Sequence, residues 1–477
     1  MNPDRDPPPQ GNDAHRAQSR LKALLGHEFF APAQWQRNVA LWSGGILVGL
    51  AAIVFAKLSN LAYAGFEHII AISPFLPLVL TPGVFGLLAW LTEGKLKPTR
   101  GSGIPQVIAT LGIEDDDFRN RLLSLPVSLG KMLLTLLGLL GGASIGREGP
   151  TVHVGAGLMY WLGRRFGFSD PKAISRFILA GGGAGIAAAF NTPLAGVVFA
   201  IEELAGTYEH RFSGIVLTAV IFAGVVSLGV LGDYTYFGQL NTSLTLLHSA
   251  AAVLLCGVCG GIGGGLFSRI ILLGDRGPLA RIAALRRRAP VLFAIGCGLA
   301  RAISGIASGS TIYGTGYAQA RDLVQATHGT AFAFGWEKLG ANILSYWAGI
   351  PGGIFSPALA VGAGMGHTLA AIMPAGDSSA MVLLGMAAFL AGVTQAPITS
   401  AIISLEMTAI QNMVIPILAV CLLARGISSL ICHTPVYRAF ADRLTAEFER
   451  REKNAAIDPD RGIMQTNPHD IQPGPKT

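Results

Sequence analysis

Apolar residues run along this chain in long blocks. Those at 39–56, 70–91, 214–230 and 246–266 are each long enough for a helix to cross the hydrocarbon of a bilayer. Other apolar blocks are cut short by Gly or Pro. The sharpest cut is the decapeptide GGASIGREGP at 141–150, which carries Arg147 and Glu148 between an apolar run at 133–140 and a small-residue run from Thr151. Main-chain groups freed at membrane depth have to be buried in protein or line a cavity, and an ionisable residue there marks function. Pro150 suits the first residue of a new helix, because its missing N–H has no partner to lose there. A helix that begins inside the membrane turns bare N–H groups and a positive dipole end inward, which favours anions. Glu148 is then a tethered anion within an anion site.

The pattern also repeats. PTVHVGAG from Pro150 and PALAVGAG from Pro357 share Pro, Val, Gly, Ala and Gly in register, 207 residues apart. Further on, Pro193 is followed nine residues later by Glu202, and Pro397 nine residues later by Glu406, an offset of 204. Two echoes at nearly one spacing divide the chain into an arm with a surface helix at 1–36, a first membrane repeat at 37–238, a second at 239–440 and a tail at 441–477. Interrupted helices at matching positions of two repeats belong to transporter architecture, with the ligand near mid-membrane at the repeat interface. The expected fold is all-α and polytopic, with two related, inverted repeats whose broken, tilted helices meet at a mid-membrane anion site. Inversion requires an odd number of crossings in each half, which the pattern alone leaves open.

Composition agrees with this reading. Of 477 residues, 51% are hydrophobic and only 13% charged, well short of the quarter usual in soluble domains. The net charge of +7 comes from tails and short connections, such as Lys95, Lys97 and Arg100 or Arg286, Arg287 and Arg288, so it does not point to nucleic acid. That bias predicts both termini in the cytoplasm and an even number of full crossings; a bacterial inner membrane is the expected location. Residues 1–20 read as a polar, Pro-rich disordered arm without a signal sequence, 21–30 as a short amphipathic helix, and the tail beyond 441 as a short helix followed by disorder. Cys256 and Cys259 form a CxxC with no His or second pair nearby, and read as small packing residues rather than metal or redox ligands. The GxG at Gly181–Gly183 lacks a surrounding βαβ unit, and no paired nucleophile and base suggests an enzyme. No cofactor or metal is expected.

Three breaks share one grammar of glycines followed by a proline: GSGIP at 101–105, GREGP at 146–150 and GGIFSP at 352–357. In that order and spacing, with Tyr437 shortly after Pro435, they resemble the CLC family of chloride channels and chloride/proton antiporters, over about residues 35–440. The resemblance implies that the hydroxyls of Ser102 and Tyr437 and the amides of Ile354 and Phe355 bind a central chloride. It implies an outer site made by the amides of Gly146, Arg147, Glu148 and Gly149, which the Glu148 side chain fills when ionised and leaves when protonated. Glu203 matches the position at which antiporters of the family take protons from the cytoplasm. A homodimer, each subunit with its own pathway for chloride and protons, is implied in the same way. Chemically, hydroxyls and backbone N–H groups bind a halide without a fixed cation that would trap it.

Blander roles remain for each residue. Glu148 can pair with Arg147, Glu203 can cap a helix at the membrane edge, Ser102 can cap its helix, and Tyr437 can be an interfacial aromatic. Glu202 and Glu406 are expected to make structural hydrogen bonds. Within the family the alternatives to a chloride/proton antiporter are a passive chloride channel and a fluoride/proton antiporter. Gln106 and Ile108 stand where many relatives carry acids.

Overall fold

A computed structural model describes residues 32–94, 96–206, 213–232, 234–242, 244, 246–272, 279–327, 329, 331–373 and 377–457. The amino-terminal arm, its surface helix and the end of the tail lie outside the described residues. The rest is helical, with no strand among the described residues.

The first half contains α1 (Pro32–Ile72), α2 (Pro77–Glu93), α3 (Ile104–Gly112), α4 (Asp116–Leu123), α5 (Leu125–Leu140), α6 (Glu148–Arg165), α7 (Pro171–Phe190), α8 (Pro193–Phe199) and α9 (Ser213–Leu231). The second contains α10 (Leu246–Ile271), α11 (Ala280–Arg288), α12 (Pro290–Ala307), α13 (Tyr317–Gln325), α14 (Phe334–Trp347), α15 (Phe355–Ile372), α16 (Ser378–Thr394), α17 (Pro397–Thr408) and α18 (Val414–Ile431). A last helix, α19 (Val436–Ile457), runs through position 440 into the tail. Eight helical stretches are long and apolar enough to cross a membrane, and α2 and α16 are shorter apolar helices. Side chains such as Leu61, Val79, Ile415 and Leu430 are each more than two-thirds exposed, as a lipid-facing surface requires. The apolar run at 70–91 is not one crossing: Pro74 and Pro77 break it at Ser73, and α2 starts afresh.

Corresponding helices of the two halves pack alike. α6 lies on α7 as α15 lies on α16, and α9 lies on α1 as α18 lies on α10. The sequence devices recur with them. Asp170 caps α7 by accepting from Ala173 N, and Asp377 caps α16 by accepting from Ser379 N and Ala380 N, each cap contributing about 1 kcal/mol. Asn191 and Gln395 end those helices in the left-handed conformation, at φ 57° and 61°. A Cβ on Gly155 would enter the Gly181 carbonyl, and one on Gly362 would meet the Gly385 carbonyl. Only hydrogen fits at these crossings, so the GxG of α7 is a packing surface.

The halves lock across their interface. α8 continues into a wide π turn, Ala200–Ala205, that carries Glu202 and Glu203. The Glu202 carboxylate accepts from Ile398 N (3.2 Å) and Thr399 N (2.6 Å) at the start of α17. The Glu406 carboxylate accepts from Leu194 N (3.1 Å) and Ala195 N (2.6 Å) at the start of α8. Both acids thus have the structural role expected of them, and α8 and α17 run antiparallel as mutual caps.

Candidate anion site

All three glycine-proline breaks meet at one place. Gly146 and Gly353 exchange main-chain bonds, N to O, of 2.7 Å in each direction. Gly352 N donates to Gly101 O at 3.2 Å, which ties the first break to the third. The space beside the Gly149 Cα is taken by the Ser102 hydroxyl, the Ser102 carbonyl oxygen and the Gly353 Cα. Gly101 and Gly103, at φ 71° and 107°, let the Ser102 turn fold into this contact.

Each break opens a helix, though not at its proline. α3 begins at Ile104, α6 at Glu148 and α15 at Phe355, so Pro105 is the second residue of its helix and Pro150 and Pro357 are third. A proline is tolerated throughout the first turn, where no N–H has an intrahelical acceptor. The first main-chain bonds of α6 and α15 are Thr151 N to Arg147 O and Ala358 N to Ile354 O. The amides of Arg147, Glu148 and Gly149, and those of Ile354, Phe355 and Ser356, therefore have no intrahelical acceptor. Gly146 departs from the expected outer set, because its N–H is committed to the Gly353 carbonyl.

Glu148 is 0% exposed, the first residue of α6. Its Oε2 fills the space beside the Gly146 Cα, next to the Pro357 ring and the Gly353 carbonyl. Neither carboxylate oxygen completes a hydrogen bond. Arg147 does not pair with it: the guanidinium donates to Ala56 O (2.9 Å) and Asn60 Oδ1 (2.8 Å) on α1. The Ser102 and Tyr437 hydroxyls lie beside each other, both buried, and neither makes a well-formed bond. Tyr437 is the second residue of α19 and has Glu203, Tyr346 and Glu148 as electrostatic neighbours. Phe355 packs against Phe190 and Phe199, with ring centroids 5.7 and 6.4 Å away. Glu203 lies next to Glu202 on the π turn, with Arg438 of α19 as a charged neighbour. The site therefore joins Ser102, Glu148, Ile354, Phe355 and Tyr437, with Glu203 reached through Tyr437.

Lys131 was not singled out from sequence. Lys131, fully buried in α5, donates to Gly101 O (3.2 Å) and holds the Ser102 turn. A lone lysine in the apolar run LPVSLGKMLLTLLGLL was the available signal. Gln106 donates to Arg100 O (2.7 Å) on the same turn. Below Ser102 a cavity of about 540 Å³ is lined by Lys97, Arg100, Arg121, Arg286, Arg443 and Arg451, among others, with Glu447 as its acid. Burial, and then the Arg100 guanidinium, push Arg286 down to about 10. Such a basic funnel raises the local concentration of small anions.

Comparisons with known proteins agree with this architecture. The chain is 30% identical over 442 residues to the H(+)/Cl(-) exchange transporter ClcA of Cronobacter sakazakii, covering 87% of this chain and 91% of that protein. Its fold is similar to the crystal structure of a slow cyanobacterial Cl-/H+ antiporter (TM-score 0.72, 23% identity, 86% of this chain and 98% of that one). It is similar also to a CLC-type fluoride/proton antiporter (0.70, 24%, 84% and 97%) and to a eukaryotic CLC transporter (0.70, 21%, 85% and 74%). The family described as voltage gated chloride channel matches residues 84–429, and with its three converging helix starts and inverted halves this membrane chain belongs to that family.

Proposed function

We propose that this protein exchanges chloride for protons across a membrane. The observation that carries the reading is Glu148, a buried carboxylate without a cation partner, folded between the starts of α6 and α15, with the Ser102 hydroxyl against the adjoining Gly149 and Tyr437 as an electrostatic neighbour. An ionised carboxylate and a halide compete for the same donors, so protonating one admits the other. Chloride passes between Ser102 and Tyr437, with the amides of Ile354 and Phe355, to the outer position at Arg147, Glu148 and Gly149. Protons share that outer position and part from the anion toward Glu203, which stands on the far side of Tyr437 from Glu148 in this scheme. Glu203 favours the antiporter over the passive channel, and Ser102 favours chloride over fluoride.

The same reading places both termini in the cytoplasm of a bacterial cell, puts the basic cavity at the cytoplasmic mouth, and pairs two subunits with separate pathways. It is tested with purified protein in liposomes, under an imposed chloride gradient with external pH recorded. Uphill proton movement is expected; chloride flux without it identifies a channel. Silence with chloride together with proton-coupled fluoride flux identifies a fluoride exporter. Cross-linking in the bilayer tests the pair of subunits.

A further inference from the structure

The inner hydroxyl pair has an outer counterpart. Ser356 is the second residue of α15 and only 6% exposed, and its hydroxyl completes no hydrogen bond. Beside it lies the hydroxyl of Tyr236, a residue also 6% exposed, on the segment that joins the two halves. Tyr236 has Arg147 and Glu148 as electrostatic neighbours, just as Tyr437 has Glu148. Glu148 is therefore an electrostatic neighbour of the tyrosine in each of two serine-tyrosine pairs, Ser102 with Tyr437 and Ser356 with Tyr236.

We infer that the Ser356 and Tyr236 hydroxyls form an additional halide subsite outside the Glu148 position, reached past Arg147. Both pairs have the same chemistry: a serine at a helix start, with its hydroxyl buried and unspent, faced by a tyrosine whose ring is held by packing. For Tyr236 the ring is fixed edge-on against Phe190 (5.3 Å), Phe237 (5.1 Å) and Tyr317 (4.7 Å). Its carbonyl is fixed by the Tyr317 hydroxyl at 2.7 Å. A hydroxyl held this firmly binds without first being ordered. The subsite also differs from its inner counterpart. Arg147, anchored to α1 by Ala56 and Asn60, places a permanent positive charge near the outer pair. Its role is to hold a halide while Glu148 occupies the inward place, so that an anion is waiting when the carboxyl group leaves.

The inference rests on the anion-transport reading and extends it, and one experiment separates the two. Crystals of the full chain grown in bromide are measured at the bromine absorption edge. An anomalous peak between Ser356 and Tyr236 is expected alongside one between Ser102 and Tyr437, and the combined variant Ser356→Ala, Tyr236→Phe removes only the outer peak. An inner peak with nothing at the outer pair in the unaltered protein overturns the subsite and leaves the transport reading standing. No peak at either pair, with liposomes silent to every halide, overturns both. In liposomes each of the two substitutions made singly raises the external chloride needed for half-maximal flux by roughly fivefold, as loss of about one hydrogen bond requires, and the two together raise it further. An unchanged half-maximal concentration overturns the subsite.

Discussion

Glu202 and Glu406 each cap the helix that leads to the other. The Glu202 carboxylate closes the start of α17, which ends beyond Glu406, and the Glu406 carboxylate closes the start of α8, which runs on into Glu202. The bonds are charge-assisted and link the halves at the starts of both α8 and α17. Replacing either acid by Gln should lower the unfolding temperature in detergent, each by the equivalent of about 1.5–3 kcal/mol. If the double variant unfolds where wild type does, the caps do not hold the halves together.

Glu148→Ala removes the carboxylate that, among the described residues, lies at the candidate anion site. Chloride flux should continue while chloride-driven proton movement falls to background. Proton pumping that survives this change would falsify the coupling role. Glu203→Gln should also uncouple, with chloride still moving. Normal coupling in that variant reduces Glu203 to an ordinary residue of the π turn.

Gly149 tests whether the three breaks need their close approach. A Cβ there meets the Ser102 hydroxyl and carbonyl and the Gly353 Cα, so that even with the hydroxyl rotated away the Ser102 main chain stands in its path. Gly149→Ala should therefore cost at least about 1–3 kcal/mol and abolish flux. Gly296→Ala, where nothing lies within 4 Å of the new methyl, should be neutral or slightly stabilising. Equal flux in the two variants would show that the crowding has no consequence.

Outside the membrane, Glu447 on α19 bonds Lys97 at 2.9 Å and Arg451 at 2.7 Å. Its hydrogen bond with Lys97 leads in holding its carboxyl below the ordinary 4.5. A carboxyl lowered by folding contributes stability that is complete above 4.5 and is lost as pH falls through the lowered value. With these side chains nearly half exposed, solvent screens the contribution to well under about 1 kcal/mol. Glu447→Gln should narrow the difference in unfolding temperature between neutral and acidic pH only slightly, and less still in high salt. A large drop at neutral pH contradicts this.

The architecture was legible because its signals are periodic and repeated. Apolar blocks announced the membrane, and the echo from Pro150 to Pro357 announced the two halves. The breaks were visible because Gly and Pro have few other uses there. What escaped the sequence was the detail of which groups bond where distant segments touch. Nothing in GREGP says that Gly146 spends its N–H on Gly353. Nothing in the linking segment says that Tyr236 comes to rest beside Ser356. Proline marked each helix start only to within two residues, since the whole first turn accepts it. The run at 70–91 misled because two prolines divide it without lowering its hydropathy.

The chain's last described helix begins at the candidate anion site. Tyr437 is the second residue of α19, a helix of 22 residues from Val436 to Ile457, about 33 Å at the usual rise. Such a rod acts as a lever. Tilting it by about 5° around its distal end moves the tyrosine oxygen by about 3 Å, roughly the length of the contact it would make with a halide. Forces that swing α19 about its far end are thus delivered to the place where the Tyr437 and Ser102 hydroxyls lie side by side.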